Sequence, residues 1–463
     1  MLSFTALREL TAVKKANRFI TSVFYIFFIC LLALLANMLA AEAVIYTVYT
    51  LLWVYICLLG DDLLGLMPIV ICCYLVPSAG NNPGSNGQSV FSLSGGGIYI
   101  LCLGAIMVLA VLLRLLLDRP EGSKKPALLS GMILLALGYC LSGIASPAYP
   151  ETALKNIFFA LLQAAAVIVP YLVFTYGVRW ESARRDYFAW IGFEAGCLLF
   201  FQILWTYFSA GVIVDGVIVR QHIFTGWGMY NNMGAMLAMM IPFAFYLAAK
   251  YHKGWIGSEA GSAYLLGVLL TCSRSSILMG SAAWLLCIVM MLRTARNRKS
   301  NSLALVITVT VVVLSVLLFR KQLLHLFGEF LSLGTDPSTR DTIYLEGLKQ
   351  FVRYPVFGGS FYPIDFVPWD WSSLDTFSSF FPPRWHNTAV QLLASCGIVG
   401  TAGYLIHRFQ TVRLFIRGFH REKAFIGCAV LVLLGTSLLD CHFFNIGPTL
   451  FYSMSLAFAE NRK

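Results

Sequence analysis

Residues 302–319, SLALVITVTVVVLSVLLF, run eighteen residues without a charge. A helix needs about 20 mainly apolar residues to cross a bilayer. In hydrocarbon every backbone N–H and C=O must be bonded internally, so such a run is expected to be a helix. Working outward, thirteen further apolar runs lie at about 19–41, 43–60, 63–77, 97–117, 127–145, 152–176, 187–213, 231–249, 256–272, 275–293, 386–406, 424–439 and 445–459. The expected fold is an all-α polytopic membrane protein. It has 12–14 transmembrane helices in a single integral membrane domain over 1–463.

Composition excludes the alternatives. Of 463 residues, 59% are hydrophobic and 12% charged, where an ordinary soluble domain has roughly 45–50% and 25%. The net charge of +11, from 33 basic and 22 acidic residues, would suggest nucleic acid in a soluble protein. Here it sorts by side of the membrane, and no nucleic-acid partner is expected. With the N-terminus in the cytoplasm, 24 of the 33 basic residues fall in cytoplasmic segments, among them Arg8, Arg114, Arg184, Lys250, Arg296, Arg417 and Lys423. That satisfies the positive-inside rule, and an even number of spans returns the C-terminus to the same side. The 19–41 run is too long for a signal core and reads as an uncleaved first helix. Twelve cysteines show no CxxC and no Cys/His cluster at metal spacing. Most lie inside apolar runs as small hydrophobes.

Two segments interrupt the helices on the outer side. Residues 78–96 are turn-rich and carry no acid, base or metal ligand. Residues 320–385 form a large extracytoplasmic loop with 15 aromatics and six of the 16 prolines. Loops this long are usually functional or disordered, and the aromatic content argues against disorder. Within it, Asp336-Pro337 reads as a helix start, and 340–353, RDTIYLEGLKQFVR, spaces Tyr344, Leu345, Leu348, Phe351 and Val352 as an amphipathic helix ending before Pro355. Arg340 falls in its first turn, where the helix dipole favours an anion.

The outer side also carries the candidate chemistry. His386, in Phe381-Pro382-Pro383-Arg384-Trp385-His386-Asn387, sits where the loop enters the next span, and an imidazole there suits a general base. The other outer histidines are His222, His325 and His442. Arg274, in Thr271-Cys272-Ser273-Arg274, lies between two apolar runs, where a charge is costly and functional by default. Arg220 precedes Gly226, Gly228, Asn231 and Asn232, ahead of a span containing Pro242. Three arginines and a histidine on one side describe an anion site with a base, because guanidinium matches phosphate oxygens with paired donors.

These residues, in this order, resemble the O-antigen ligase and O-antigen polymerase superfamily of bacterial cell-envelope proteins. The resemblance covers roughly 220–407. It runs from Arg220 with its Gly and Asn-Asn, through Thr271-x-Ser273-Arg274, Arg340 and Tyr354-Pro355-x-x-Gly358-Gly359, to His386-Asn387 and Gly397. The family's histidine followed by ten residues and glycine fits His386 and Gly397. Its arginine followed by three residues and leucine is met only loosely, since Arg340 is followed at that place by Tyr344, with Leu345 next. The resemblance implies a C-type glycosyltransferase-like fold in the bacterial plasma membrane, with the active site on the outer face. It implies ligation or polymerisation of a glycan taken from undecaprenyl diphosphate and given to a lipid, glycan or protein acceptor hydroxyl. Such transfer is inverting and uses no metal or nucleotide cofactor, as in lipopolysaccharide and other cell-surface polysaccharide biosynthesis. His386 would be the base, with Arg274 and Arg340 on the diphosphate. Arg220, Asn387 and Asp440 would bind substrate, and Asp440 could alternatively orient His386.

Two rivals remain at this point. A lipid-linked glycan flippase would carry its charges along the transmembrane path rather than at one face. A metal-dependent transferase would need outer acids, for which Asp61-Asp62 is the obvious pair, but the charge count puts that pair inside, as a turn between spans. A cysteine placed at Asp61 should therefore resist a membrane-impermeant thiol reagent applied from outside. Ready labelling there would revive the metal-dependent reading.

Overall fold

The structure, a computed structural model, describes residues 7–76, 96–117, 125–147, 149–180, 182–225, 228–328, 340–362, 384–417 and 419–460. The Asp336-Pro337 helix start, nearly all of 78–96, Gly226 and 381–383 lie outside these residues. All fourteen apolar runs are helical. Nine described helices are long and apolar enough to cross a membrane, and the pair Thr11–Ile20 and Val23–Leu39, bent by 70°, makes a tenth. The other four, Leu66–Leu75, Leu129–Cys140, Trp255–Leu270 and Ile446–Glu460, have 10, 12, 16 and 15 residues. At a 1.5 Å rise per residue these reach about 15 to 24 Å, short of the roughly 30 Å hydrocarbon core. The protein is thus an all-α polytopic membrane protein.

The chain divides into two compact units. The first comprises 1–123, 173–332 and 424–432. Its centre is the helix Tyr230–Lys250, buried along almost its whole length and packed by Ser182–Ser209, Trp255–Leu270 and Arg274–Thr294. One end of this unit gathers cations around acids and free carbonyls. Asp62 pairs with Arg184 and accepts the Leu64 N–H at 2.9 Å. Arg114 donates to the carbonyls of Cys57 and Gly60 at 3.3 and 2.9 Å, and Arg8 to that of Leu58 at 3.0 Å. Lys250 pairs with Asp186, and the Arg296 N–H donates to the Ala249 carbonyl at 3.1 Å. Asp61-Asp62 is therefore the acidic part of a turn neutralised by its own chain. The other end of the central helix starts beside Arg220, whose guanidinium lies 5.2 Å from the centre of the Tyr230 ring.

The second unit comprises 124–172, 333–423 and 433–463. Its longest helix, Thr388–Ile416, is broken at Gly397, which adopts φ 62° and ψ −158°. The break falls about 14 Å from the helix start. A broken helix frees backbone groups that are costly to leave unbonded when buried, and the segment 354–360 meets them. The N–H groups of Ile398 and Val399 donate to the carbonyls of Pro355 and Val356 at 2.8 and 3.2 Å. The Ala394 carbonyl accepts from the Gly359 N–H at 2.8 Å and from Gln350 Nε2 at 2.8 Å. Ser142 Oγ donates to the Ser395 carbonyl at 2.5 Å. Gly358, at φ 72°, fits so closely that a Cβ there would lie 2.2 Å from the Ser395 carbonyl carbon. Leu129–Cys140 crosses the same span at Gly138, where a Cβ would lie 2.5 Å from the Gly400 Cα; small residues let helix backbones approach in this way. At the far end Lys423 Nζ caps the Leu414 and Arg417 carbonyls at 3.3 and 3.2 Å, a favourable place for a cation.

Gly397→Ala should lower the thermal midpoint of the detergent-solubilised protein. The new Cβ would lie 2.4 Å from the Val356 carbonyl oxygen, and a non-glycine residue in such backbone adds about 1–3 kcal/mol of strain. Gly104→Ala on the Gly96–Leu117 helix, where no atom lies within 4 Å of the new Cβ, is the control and should leave the midpoint unchanged or slightly raised. Equal midpoints for the two variants would contradict the account of the break.

Candidate functional site

In the second unit, four segments meet at the start of the Thr388–Ile416 span. Asn387 caps that helix, its Oδ1 accepting from the Ala389 and Val390 N–H groups at 2.8 and 3.1 Å. Its Nδ2 donates to the Leu438 carbonyl at 2.7 Å. Arg340 Nη1 donates to the next carbonyl, of Leu439, at 2.9 Å. Both side chains therefore tie down the C-terminus of the Arg421–Leu439 helix, as donors there commonly do. One turn along from Arg340, Tyr344 donates its hydroxyl to the His386 carbonyl at 3.0 Å. Trp385 is buried with Ile343 and Ala394, and Gln391 Oε1 accepts its N–H at 2.9 Å.

Held from both sides, His386 has φ 49°, a left-handed conformation uncommon outside glycine. Its Nδ1 lies 3.2 Å from Asp440 Oδ1. The His386 side chain is 35% exposed and that of Asp440 9%. A partly open imidazole thus stands on a nearly buried carboxylate. An acid so placed can hold an imidazole by an Nδ1–H bond, with Nε2 left for other partners.

The electrostatics favour an ionised acid. Burial alone would raise the Asp440 carboxyl. The hydrogen bond with His386, the positive potentials of His442 and His386, and the Cys441 N–H together outweigh that effect and hold it well below the usual carboxylate range. The Cys441 N–H donates to Oδ1 at 2.7 Å. His442 is fully buried. Its pKa is lowered by burial, opposed by Asp440, and lowered further by His386, Arg340 and Arg384. Arg384 lies over the Phe159 and Phe444 rings at 5.2 and 5.9 Å. Sequence reasoning assigns Arg384 no role and names His442 only among the outer histidines. The available signals were the spacing Arg384-x-His386 and Asp440-x-His442.

Arg220 and Arg274 belong to the first unit, where they come close to one residue. Cys272, at φ 51°, packs with Val212, Ile218 and Ile223. Burial pushes its thiol up to about 11, and the nearby Arg220 guanidinium opposes that. Two residues on, Arg274 opens the helix Arg274–Thr294 and is exposed. Thr271 and Ser276 fit against Gly234, where a Cβ would lie 2.7 Å from Thr271 Oγ1 and 2.9 Å from Ser276 Cβ. Among the described residues, no three His, Cys, Asp or Glu side chains are grouped so as to hold a metal ion.

The long apolar helices define a polytopic membrane protein, and in its second unit an imidazole rests on a nearly buried carboxylate at the start of a span. Residues 260–405 match the family described as O-antigen ligase. That match, over part of the chain, supports the O-antigen ligase and polymerase superfamily. The matched stretch includes Arg274, Arg340, Gly358, Gly359, His386, Asn387 and Gly397; Arg220 and Asp440 lie outside it. A search of curated proteins gives no match.

Because the Asp440 carboxyl is held low in the folded protein, its stabilising contribution is complete above the unfolded value of about 3.9. That contribution is lost only as the pH falls through the lower folded value. The thermal midpoint of Asp440→Asn should therefore lie below that of the parent, and the gap should not shrink until the pH drops below about 4. A gap that closes between neutral pH and 5 would show that Asp440 is not held ionised by these contacts.

Proposed function

We propose that the protein transfers a glycan from an undecaprenyl diphosphate-linked donor to an acceptor hydroxyl at the outer face of the bacterial plasma membrane, in cell-surface polysaccharide biosynthesis. The family match supports glycan transfer of the O-antigen ligase type in general. The observation that carries the finer reading is the His386 imidazole resting on the ionised Asp440. With Nδ1 engaged, Nε2 accepts the proton of the acceptor hydroxyl as its oxygen forms a bond to the anomeric carbon. The bond from that carbon to the diphosphate breaks, and the electron pair leaves with the diphosphate. Attack from the face opposite the leaving group inverts the configuration.

The leaving diphosphate needs positive charge where its own develops. Arg340, tied by one of its five donors to the Leu439 carbonyl, supplies it beside His386. By the family resemblance Arg274 and Arg220 are proposed as further diphosphate ligands, and the transfer uses no metal. Asn387, both ends of whose amide are engaged within the protein, holds His386 in place. The outer placement rests on charge sorting within each unit. Arg8, Arg114, Arg184 and Lys250 gather at one end of the first, with Arg220 at the other. In the second, Arg417 and Lys423 lie at the end of the long span remote from His386. The termini are then both cytoplasmic.

His386→Ala should remain folded and inserted while losing glycan transfer by purified protein in detergent. Retained turnover would overturn the base assignment. Asp440→Asn should lower the rate by about 10²–10⁴-fold, the range of general-base contributions. Arg274→Lys should be severely impaired, because an ammonium cannot reproduce the paired contact of a guanidinium.

A further inference from the structure

The helix Arg340–Arg353 presents three faces rather than two. One is turned into the protein. Ile343 and Gly347 are buried, a Cβ on Gly347 would lie 2.5 Å from Val390 Cγ1, and Gln350 bonds the Ala394 carbonyl. A second is polar, with Thr342 and Lys349 exposed and Glu346 accepting from Lys349 Nζ at 2.6 Å. The third is apolar and uncovered: Leu345, Leu348 and Val352 are 53%, 42% and 76% exposed. Their spacing of three and four residues puts them on one stripe. Asp341, in the first turn at the loop end, is the one charge in that sector. A helix between protein and water has no use for a third, apolar face.

That stripe does not end with the helix. It continues into Val356, 49% exposed, whose carbonyl bonds the Val399 N–H beside Ile398. From there it runs down the membrane span through Ile398, Leu405, Phe409, Val412 and Ile416. These five are exposed, and their spacings of seven, four, three and four keep them on one side of the helix. On a segment of this length and hydropathy the medium facing that side is lipid. We infer that the Leu345, Leu348 and Val352 face is embedded in the same lipid, at the level where acyl chains meet headgroups. The Arg340–Arg353 helix is then an interfacial element resting on the bilayer with Lys349 and Arg353 at headgroup level, as cations flanking such a face are placed. Since the same helix carries Arg340 and Tyr344, the bilayer helps set their position against Leu439 and His386. The lipid contact does not depend on the glycan-transfer reading and stands or falls separately from it.

The test is depth measurement with a nitroxide attached to single cysteines in the full-length protein. Cys102 and the intermediate cysteines are replaced first, and the protein is reconstituted into vesicles of phosphatidylethanolamine and phosphatidylglycerol. Oxygen concentrates in lipid, and a nickel chelate stays in water. Labels at Leu345→Cys and Val352→Cys should show the high ratio of oxygen to nickel collisions given by Phe409→Cys on the span, and Lys349→Cys a clearly lower ratio. Stripe labels colliding with nickel as freely as Lys349→Cys would show a water-facing stripe. Stripe labels shielded from both reagents would show a protein covering it. Either result overturns the inference. Far-ultraviolet circular dichroism of each labelled protein, compared with the unlabelled parent, identifies any variant that has not folded, and an adjacent stripe position, Leu348→Cys, then takes its place.

Discussion

A helix interrupted at Gly397 must find partners for the backbone groups it releases, because buried N–H and C=O groups left unbonded are costly. The partners come from 354–360, whose carbonyls take the Ile398 and Val399 N–H groups and whose Gly359 N–H is taken by Ala394. This exchange pins an extramembrane segment to the inside of a span. Through Gln350, Ile343 and Gly347 it also pins the Arg340–Arg353 helix to the entrance of that span. Arg340 and Tyr344 reach Leu439 and His386 only because that helix is held there. Widely spaced motif residues such as Tyr354-Pro355, Gly358-Gly359, His386 and Gly397 are thus parts of one joint.

Charge does two separate jobs. Several basic residues are counter-charges and caps at one end of each unit, as Arg184 is to Asp62 and Lys423 to the end of the long span. The few at the other ends face different surroundings. Arg340, Arg384, His386 and Asp440 all act on the buried His442, and Asp440 is held ionised against its burial by His386, His442 and the Cys441 N–H. A carboxylate that stays ionised while nearly buried needs such company.

Much of this was legible in the chain. Fourteen apolar runs became fourteen helices, because hydrophobic length is a local property and lipid enforces the helix. His386 and Arg340 were visible as an imidazole and a guanidinium where a loop meets a span. The Asp440 partnership was open only as one of two alternatives, since 54 residues separate it from His386. His442 and Arg384 were passed over for a related reason. A buried histidine and an arginine stacked on Phe159 and Phe444 are ordinary residues until the fold brings those rings and that acid together.

What the amino-acid sequence determined by itself was the solvent and the class: runs of uncharged residues that only a membrane could hold. Tertiary structure decided where the helices stop being helices and which distant groups become neighbours. Backbone geometry at Gly397 and His386 is stabilised by contacts from 354–360, Tyr344 and Asp440. Long-range contacts of that kind have no signature in local hydropathy, because they depend on which carbonyls and carboxylates the packing brings within about 3 Å, the reach of a hydrogen bond.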